Sequence, residues 1–494
     1  MNCLLVSPTH PNTFWSFRYA LRFISRKACF PPLGLITVAA MLPGEWKQRL
    51  VDMNTQDLRD EDIRWADIVF LSAMSIQSES ADDVIARCQS FGKRIVAGGP
   101  HFTSSPRHYD HVDHLVLNEA EITLPRFLAD LEAGCPDHIY TTDAWPDLSV
   151  TPIPKWELVP MKRYSSMNLQ YSRGCPYDCD FCDITVLYGR NPRTKSRAQV
   201  IGELDTLLAR GWTGPVFFVD DNFIGNRRKL KVDILPAIAE WMDMHQHPFQ
   251  FNTEASINLA DDAELMTLMV RAGFEAVFIG IETTEVDSLA ACGKGQNLNR
   301  DLAESVRMIQ RAGLEVQGGF ILGFDEDQPG IFDRLASFIQ ETAIVTAMVG
   351  LLNAPTGTRL HARLKAEGRL LHDFNGNNTD TMINFIPNMD LDQLRAGYGR
   401  VVTYIYSPEH YYARVREFLR NWKPRKKNRS FSASNIIALL RSMVVLGVIG
   451  RERVQYWRLF FWSLARGSAQ FSLAIQFAIY GFHFRKTAED SLQQ

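Results

Sequence analysis

The sequence predicts an α/β protein built from a Rossmann-like parallel sheet, a partial (β/α)6 barrel and a helical C-terminal subdomain. Three observations predict it. Short continuous apolar runs alternate with helical stretches as far as residue 385, a Pro-rich stretch cuts that rhythm in two, and beyond it the apolar spacing is helical throughout.

The first rhythm occupies residues 1–140. Its candidate strands are Leu4–Ser7, Arg49–Met53, Ile68–Ser72, Arg94–Gly98 and Leu115–Leu117, with amphipathic stretches such as Ala81–Phe91 between them. Strands that are apolar throughout belong to a parallel sheet covered on both faces, and such sheets bind ligands beyond their carboxyl ends. Ser7-Pro8, Ser72-Ala73-Met74-Ser75 and Gly98-Gly99-Pro100-His101 stand at those ends. Two adjacent glycines let a backbone approach a flat ligand, or they only make a turn.

Residues 141–162 form a connector, because Pro146, Pro152, Pro154 and Pro160 prevent regular structure. In residues 163–385 the candidate strands are Met167–Ser172, Val216–Asp220, Phe249–Thr253, Ala276–Ile281, Glu315–Leu322 and Thr346–Leu352. Ala198–Ala209, Lys229–His245, Ala263–Ala272 and Asp301–Ala312 have helical spacing between them. Six βα units make most of a barrel, whose chemistry sits at the carboxyl-terminal mouth of the strands.

Residues 386–494 read as helical and aromatic. A basic hinge, Lys423, Arg425, Lys426, Lys427 and Arg429, precedes two apolar helices near Ala433–Val448 and Val454–Phe482. The charge-free run Gly467–Phe482 is shorter than a membrane span needs. Trp, Tyr and Phe beside Arg and Lys suit a helix lying in a membrane interface. The same residues also suit a subdomain packed on the barrel.

The 494 residues are 46% hydrophobic and 22% charged, enough for about three domains and against long disorder. A formal charge of −3 leaves no electrostatic footprint for nucleic acid. The opening Met1-Asn2-Cys3-Leu4-Leu5-Val6 reads as a strand and not as a signal peptide. Cys3, Cys29, Cys88, Cys135 and Cys292 are scattered, as in a protein of the reducing cytosol. Cytoplasmic location is expected, with peripheral contact at the inner membrane if the tail lies on lipid.

Cys175, Cys179 and Cys182 are different. They stand as Cys-x-x-x-Cys-x-x-Cys after the first barrel strand, with Phe181 just before the third. Three thiolates on one loop can hold three irons of a cubane [4Fe-4S] cluster, whose usual complement is four. The fourth iron is then open to another ligand. A zinc knuckle is the alternative, but no second Cys/His pair follows at zinc spacing.

From Cys175 through Ile184, and again from Gly189 through Ser196, the chain resembles the radical S-adenosylmethionine superfamily. Its layout is similar to the cobalamin-dependent, class B methylase-like branch with a helical C-terminal domain, a group that includes hopanoid C-2 methylases. The resemblance implies that the open iron chelates S-adenosylmethionine. It implies a cofactor-binding set at the strand ends: Asp220, Asp221 and Asn222 for the methionyl amino group, Glu254 for ribose hydroxyls, Glu282, and Gly318 and Gly319 against adenine. Helix capping is the competing role for the Asp and Asn residues. Arg190, Arg193 and Lys195 would meet the cofactor carboxylate, shield a reduced cluster or face solvent. Tyr177 and Phe181 would exclude water.

Pro31-Pro32-Leu33-Gly34-Leu35, the Gly-Gly-Pro-His turn and Asn118-Glu119-Ala120-Glu121 carry the likeness of residues 1–140 to a cobalamin-binding domain. Ser72, Gly98, Gly99, His101 and Glu119 are the implied cobalamin residues. The Asp-x-His-x-x-Gly motif that supplies an axial histidine in the methionine-synthase branch is absent, and His10 lacks its neighbours. The implied reaction is methylation of an unactivated carbon, with a hopanoid or other polycyclic lipid as the first substrate and flavodoxin or ferredoxin as reductant. A non-methylating radical cyclisation or rearrangement and a non-catalytic metal-binding protein are the other readings.

Overall fold

The computed structural model describes residues 1–377, 379, 381–422 and 433–493. The expected basic hinge at Lys423–Arg429 lies outside the described residues. Strands β1 (Asn2–Ser7), β2 (Lys47–Asp52), β3 (Ile68–Ser72), β4 (Arg94–Gly98), β5 (His114–Val116) and β6 (Ile139–Tyr140) form one sheet. Its order is β2-β1-β3-β4-β5-β6, parallel throughout. Leu4, Val6, Val69 and Leu71 face one core, while Cys3, Leu5, Ile68 and Phe70 face the other. That two-sided burial is why these strands read as unbroken apolar runs. The sixth strand was not legible: two residues leave no pattern. Tyr140 anchors it by a 2.8 Å bond to Asp130.

Six further strands follow: β7 (Met167–Leu169), β8 (Gly214–Phe218), β9 (Phe249–Ala255), β10 (Phe274–Glu282), β11 (Glu315–Leu322) and β12 (Ala347–Leu351). They pair in sequence order, all parallel. The first barrel strand ends three residues before the expected Ser172. The Asp220 carboxylate accepts the Tyr171 and Ser172 amides and diverts the chain, so that Ser172–Arg173 pairs antiparallel with Arg193–Thr194. The expected helix Lys229–His245 contains a π turn at Leu230–Ile234 before Leu235–Met244. Pro236 has no amide to donate there, which accounts for the widened turn.

The tail comprises helices Leu391–Tyr406, Pro408–Asn421, Ala433–Val444 (continued as a π turn to Ile449), Arg453–Leu464 and Ser468–Ser491. The single helix expected over Val454–Phe482 is therefore two. Gly467 breaks it at φ +104°, a conformation that disfavours other residues. Among the described residues no helix is long and apolar enough to cross a membrane. Helix Ser468–Ser491 reaches back to the N-terminal segment: Phe484 stacks on Phe14 at 4.3 Å, His483 Nε2 bonds the Phe14 carbonyl at 2.8 Å, and Tyr19 donates to Asp490 at 2.5 Å.

Candidate active site

The cysteine loop lies at the carboxyl-terminal mouth of the barrel. Gly174 opens it at φ +93°, where a Cβ would stand 2.9 Å from the Gly189 carbonyl, so only glycine fits. Asp221 accepts the Gly174 amide at 3.2 Å, and burial pushes its carboxyl up to about 6. Burial pushes the Asp220 carboxyl up to about 7, although it also accepts the Ser172 hydroxyl at 2.5 Å. The far side of the loop is clamped by the segment before Lys294 and by the helix Arg359–Ala366. The Asp180 amide donates to the Cys292 carbonyl at 2.9 Å, and the Leu360 amide donates to the Asp180 carbonyl at 2.9 Å.

Asn222 Nδ2 stands 3.8 Å from Cys175 Sγ and Gln296 Nε2 3.9 Å from Cys179 Sγ, and the backbone amides of Tyr177 and Ile184 bond the thiols of Cys175 and Cys182. Burial raises all three thiols above the ordinary cysteine value. Such thiols ionise when a metal centre compensates their charge. Among the described residues no three His, Cys, Asp or Glu side chains converge on one point as the ligands of a single ion would. Three free thiols on one loop, each able to take a different iron, are the donor set a cubane cluster with one open iron needs.

Glu282 ends β10 in an unusual way. A register shift at Gly280 brings it to φ +65°, and its carboxylate folds back to pair with Lys294. A Cβ on Gly280 would stand 2.2 Å from Glu282 Oε1, so that glycine makes room for the pair. Burial opposes the Lys294 charge, but Glu282 and the thiols of Cys179 and Cys182 outweigh it and hold its pKa above the ordinary lysine value. Lys294 was not expected here. It follows Cys292-Gly293, and only the fold brings that segment under the cysteine loop. Glu254, on β9, has its carboxyl pushed up to about 8 by burial and by Asp221, Asp220 and Glu282.

Strand parity separates the two glycines expected against adenine. A Cβ on Gly319 would meet the Phe278 ring at 2.6 Å, inside the barrel, whereas one on Gly318 would meet Phe320 and Ile344 in the helical layer. Gly319 lines the mouth; Gly318 backs it. The basic run is also distributed differently. Arg193 binds Glu119 with both guanidinium ends, at 3.0 and 2.7 Å, in place of a cofactor carboxylate. Arg173 joins the same group, 2.6 Å from Glu119 and 2.8 Å from Glu121. Glu119 thus serves the contact between the N-terminal sheet and the barrel. Lys195 is buried on Glu203, and Arg190 is exposed, 3.4 Å from Asp178. Tyr177 is half-buried and its hydroxyl accepts from Asn258 Nδ2 at 2.5 Å, while Phe181 packs edge-on to Phe324 at 6.1 Å.

At the carboxyl edge of the first sheet, Gly99 takes φ +94° with Ser72 Oγ 2.7 Å from its would-be Cβ, and a Cβ on Gly98 would meet the Val116 carbonyl at 2.6 Å. No side chain fits at either position. His101 is buried and bonded to the Tyr109 hydroxyl at 2.5 Å, which in turn donates to Asp82 at 3.0 Å. Burial lowers its pKa, so this imidazole is neutral and occupied. His10 is exposed.

A cavity of about 870 Å³ lies between this edge and the barrel mouth. One wall is Met74, Ser75, Pro100, His101 and Tyr109; the other is Phe181, Cys182, Asp221, Phe278, Glu282 and Gly319. Trp15, which no strand or helix pattern marks, packs edge-on to Phe278 at 5.3 Å and donates to Met348 Sδ at 3.0 Å. The cysteine loop, through Phe181 and Cys182, and the residues that follow the glycine turn, Pro100 and His101, therefore open on one space.

Three known families match in the same order: the B12 binding domain over residues 20–128, the Radical SAM superfamily over 169–339 and a domain of unknown function, DUF4070, over 358–494. An uncharacterized methyltransferase of Synechocystis sp. is 42% identical, covering 99% of this chain and 92% of its own. The hopanoid C-2 methylase of Rhodopseudomonas palustris is 35% identical, covering 94% and 90%. The chain is a cobalamin-dependent radical S-adenosylmethionine methyltransferase. The fold agrees with that of the radical S-adenosylmethionine methyltransferase TsrM from Kitasatospora setae with cobalamin and [4Fe-4S] cluster bound, at TM-score 0.63, 14% identity and full coverage of both chains. Its cofactors are a [4Fe-4S] cluster, S-adenosylmethionine and cobalamin.

Proposed function

We propose that this methyltransferase acts on an unactivated carbon of a polycyclic lipid of the hopanoid class. The observation that carries the reading is the apolar part of the cavity at the barrel mouth, where Phe181, Phe278, Ile321, Met348 and Leu352 offer a surface for a rigid hydrocarbon. The hopanoid C-2 methylase relative supports the same substrate class.

When bound, the three cofactors supply electron transfer, a hydrogen-abstracting 5′-deoxyadenosyl radical and a transferable methyl group. The chain supplies position. In this reading Cys175, Cys179 and Cys182 hold the cluster, and Asp220 and Asp221 fix the loop by its amides. Asn222, Glu254, Glu282 and Gly319 face S-adenosylmethionine, with Gly318 as packing behind them. Ser72, Gly98 and Gly99 would receive the corrinoid, which would supply the transferable methyl group, while His101 is engaged by Tyr109. Phe181 and Phe324 exclude water beside the cluster. Flavodoxin or ferredoxin provides electrons, and the protein contacts the inner membrane from the cytoplasmic side to reach its substrate.

The test is mass spectrometry of total lipids from the host with and without the gene. Methylated polycyclic lipids should disappear on deletion and return on complementation. Unchanged lipids in a host that expresses the gene would refute the lipid substrate and leave the methyltransferase assignment intact.

A further inference from the structure

Among the described residues, the tail carries a set of apolar side chains that stay largely exposed. On helix Ala433–Val444 and its π continuation, Ile436, Leu440 and Val444 recur every four residues, which places them on one side. With Ile449, and with Phe461 and Leu464 of the next helix, they are each between 50% and 73% exposed. The two helices are locked together on their other sides. Trp457 Nε1 donates to the Gly447 carbonyl at 2.9 Å, and the Ser442 and Tyr456 hydroxyls bond at 2.8 Å. The outer apolar residues are therefore surplus to the local core, and monomer surfaces seldom carry such a patch without a partner.

Charge identifies the partner. Residues 433–470 contain five arginines and one acid, Glu452. Glu452 is buried against Arg485, so it contributes no negative charge to the surface. Arg451, Arg453, Arg458 and Arg466 are exposed. Arg458 falls between Val454 and Phe461 on the same helical side, and Arg466 lies over the Trp462 ring at 4.1 Å. Arg451 lies 3.7 Å from Glu489 of the last helix, which leaves Arg453, Arg458 and Arg466 beside the apolar side chains. Arginines and aromatic residues around apolar side chains, on two helices with no exposed acid of their own, are complementary to the headgroup layer of an anionic bilayer. A second copy fits less well, because a two-fold contact would set arginine against arginine.

We propose that the helices Ala433–Ile449 and Arg453–Leu464 dock this methyltransferase on anionic membrane by inserting their outer apolar side at the headgroup boundary. The inference rests on the membrane contact in the proposed function, but it is tested without substrate, so lipid analysis and vesicle binding succeed or fail separately. The full-length, cluster-loaded protein is sedimented with phosphatidylcholine vesicles lacking or containing phosphatidylglycerol. Binding is expected only with phosphatidylglycerol, reduced by salt. It should be about tenfold weaker for the pair Leu440→Gln and Phe461→Gln, and similarly for Arg458→Glu with Arg466→Glu. Absorbance of the cluster and the thermal midpoint report that the variants fold; if they do not, brominated lipid should quench the tryptophan fluorescence of the unaltered protein. The proposal is overturned by failure to sediment with phosphatidylglycerol, by absence of quenching, by equal binding of folded variants, or by a dimer that the substitutions convert to monomer.

Discussion

Arg193 grips both carboxylate oxygens of Glu119, at 3.0 and 2.7 Å, across the boundary between the N-terminal sheet and the barrel. The side chains are 16% and 2% exposed, and Arg173 shares the same carboxylate. The two arginines are direct neighbours on the short antiparallel ladder that frames the cysteine loop. One glutamate of the N-terminal domain thus ties that domain to the ladder beside the cysteine loop.

Removing that carboxylate strands buried positive charge, which costs about 3 kcal/mol where no other partner replaces it. Glu119→Ala should lower the thermal midpoint and make the 141–162 connector more susceptible to protease, while the cluster still assembles. Calorimetry and limited proteolysis of the reconstituted protein check this. An unchanged midpoint would mean that Arg173 and Glu121 alone hold the boundary.

Lys294 puts a buried positive charge among the thiols of Cys179 and Cys182. A cation beside a cluster favours its reduced form, since net charge and surroundings set the potential. Lys294→Met should therefore shift the cluster midpoint to a more negative value, and Lys294→Arg should restore most of the difference. A redox titration followed by electron paramagnetic resonance measures it, and an unmoved potential would reduce Lys294 to a structural partner of Glu282.

How much of this arrangement was legible beforehand follows from what a linear pattern records. The cysteine loop and the strand ends at Asp220, Glu254 and Glu282 could be placed because parallel strands declare themselves as apolar runs and their carboxyl ends are the loops that follow. The β11 glycines could have been separated by the same alternation: Gly319 shares parity with Gln317 and Ile321, Gly318 with the core residue Phe320. The partners of Arg193 and Glu119 were not readable, because each lay in a different domain and both had a plausible ligand of their own. Trp15 and Lys294 were hidden for the same reason. Each reaches the barrel from a segment that has no strand or helix period to reveal its target.

Trp15 shows what such a hidden contact can decide. It is 36% exposed and touches Phe278 and Met348, both of which line the cavity, while Phe14 beside it is stacked on Phe484 of the tail. Trp15→Ala should cost about 1–2 kcal/mol, less than a fully buried tryptophan, because part of the ring is already in water. It should also weaken binding of a polycyclic substrate more than it slows turnover of bound substrate. KM and kcat for the variant test this, and a change in kcat alone would assign Trp15 to the chemistry and not to the cavity wall.

Glu254 offers a pH signature. Its pKa in the fold, about 8, exceeds the ordinary 4.5, because burial and then Asp221, Asp220 and Glu282 oppose its charge. A raised pKa means that the folded state keeps a proton the unfolded chain has released. The contribution to stability is then complete below about 4.5 and is lost as pH rises through about 8. Glu254→Gln should flatten the fall in thermal midpoint across that window, with the variant gaining on the parent towards pH 8. If the carboxylate accepts ribose hydroxyls, its charged form is the better acceptor, and S-adenosylmethionine affinity should rise with pH through the same region in the parent and stay level in the variant. Anaerobic calorimetric titrations at several pH values read both effects. A flattened stability profile with parallel affinity curves would keep the burial of Glu254 and remove it from the cofactor site.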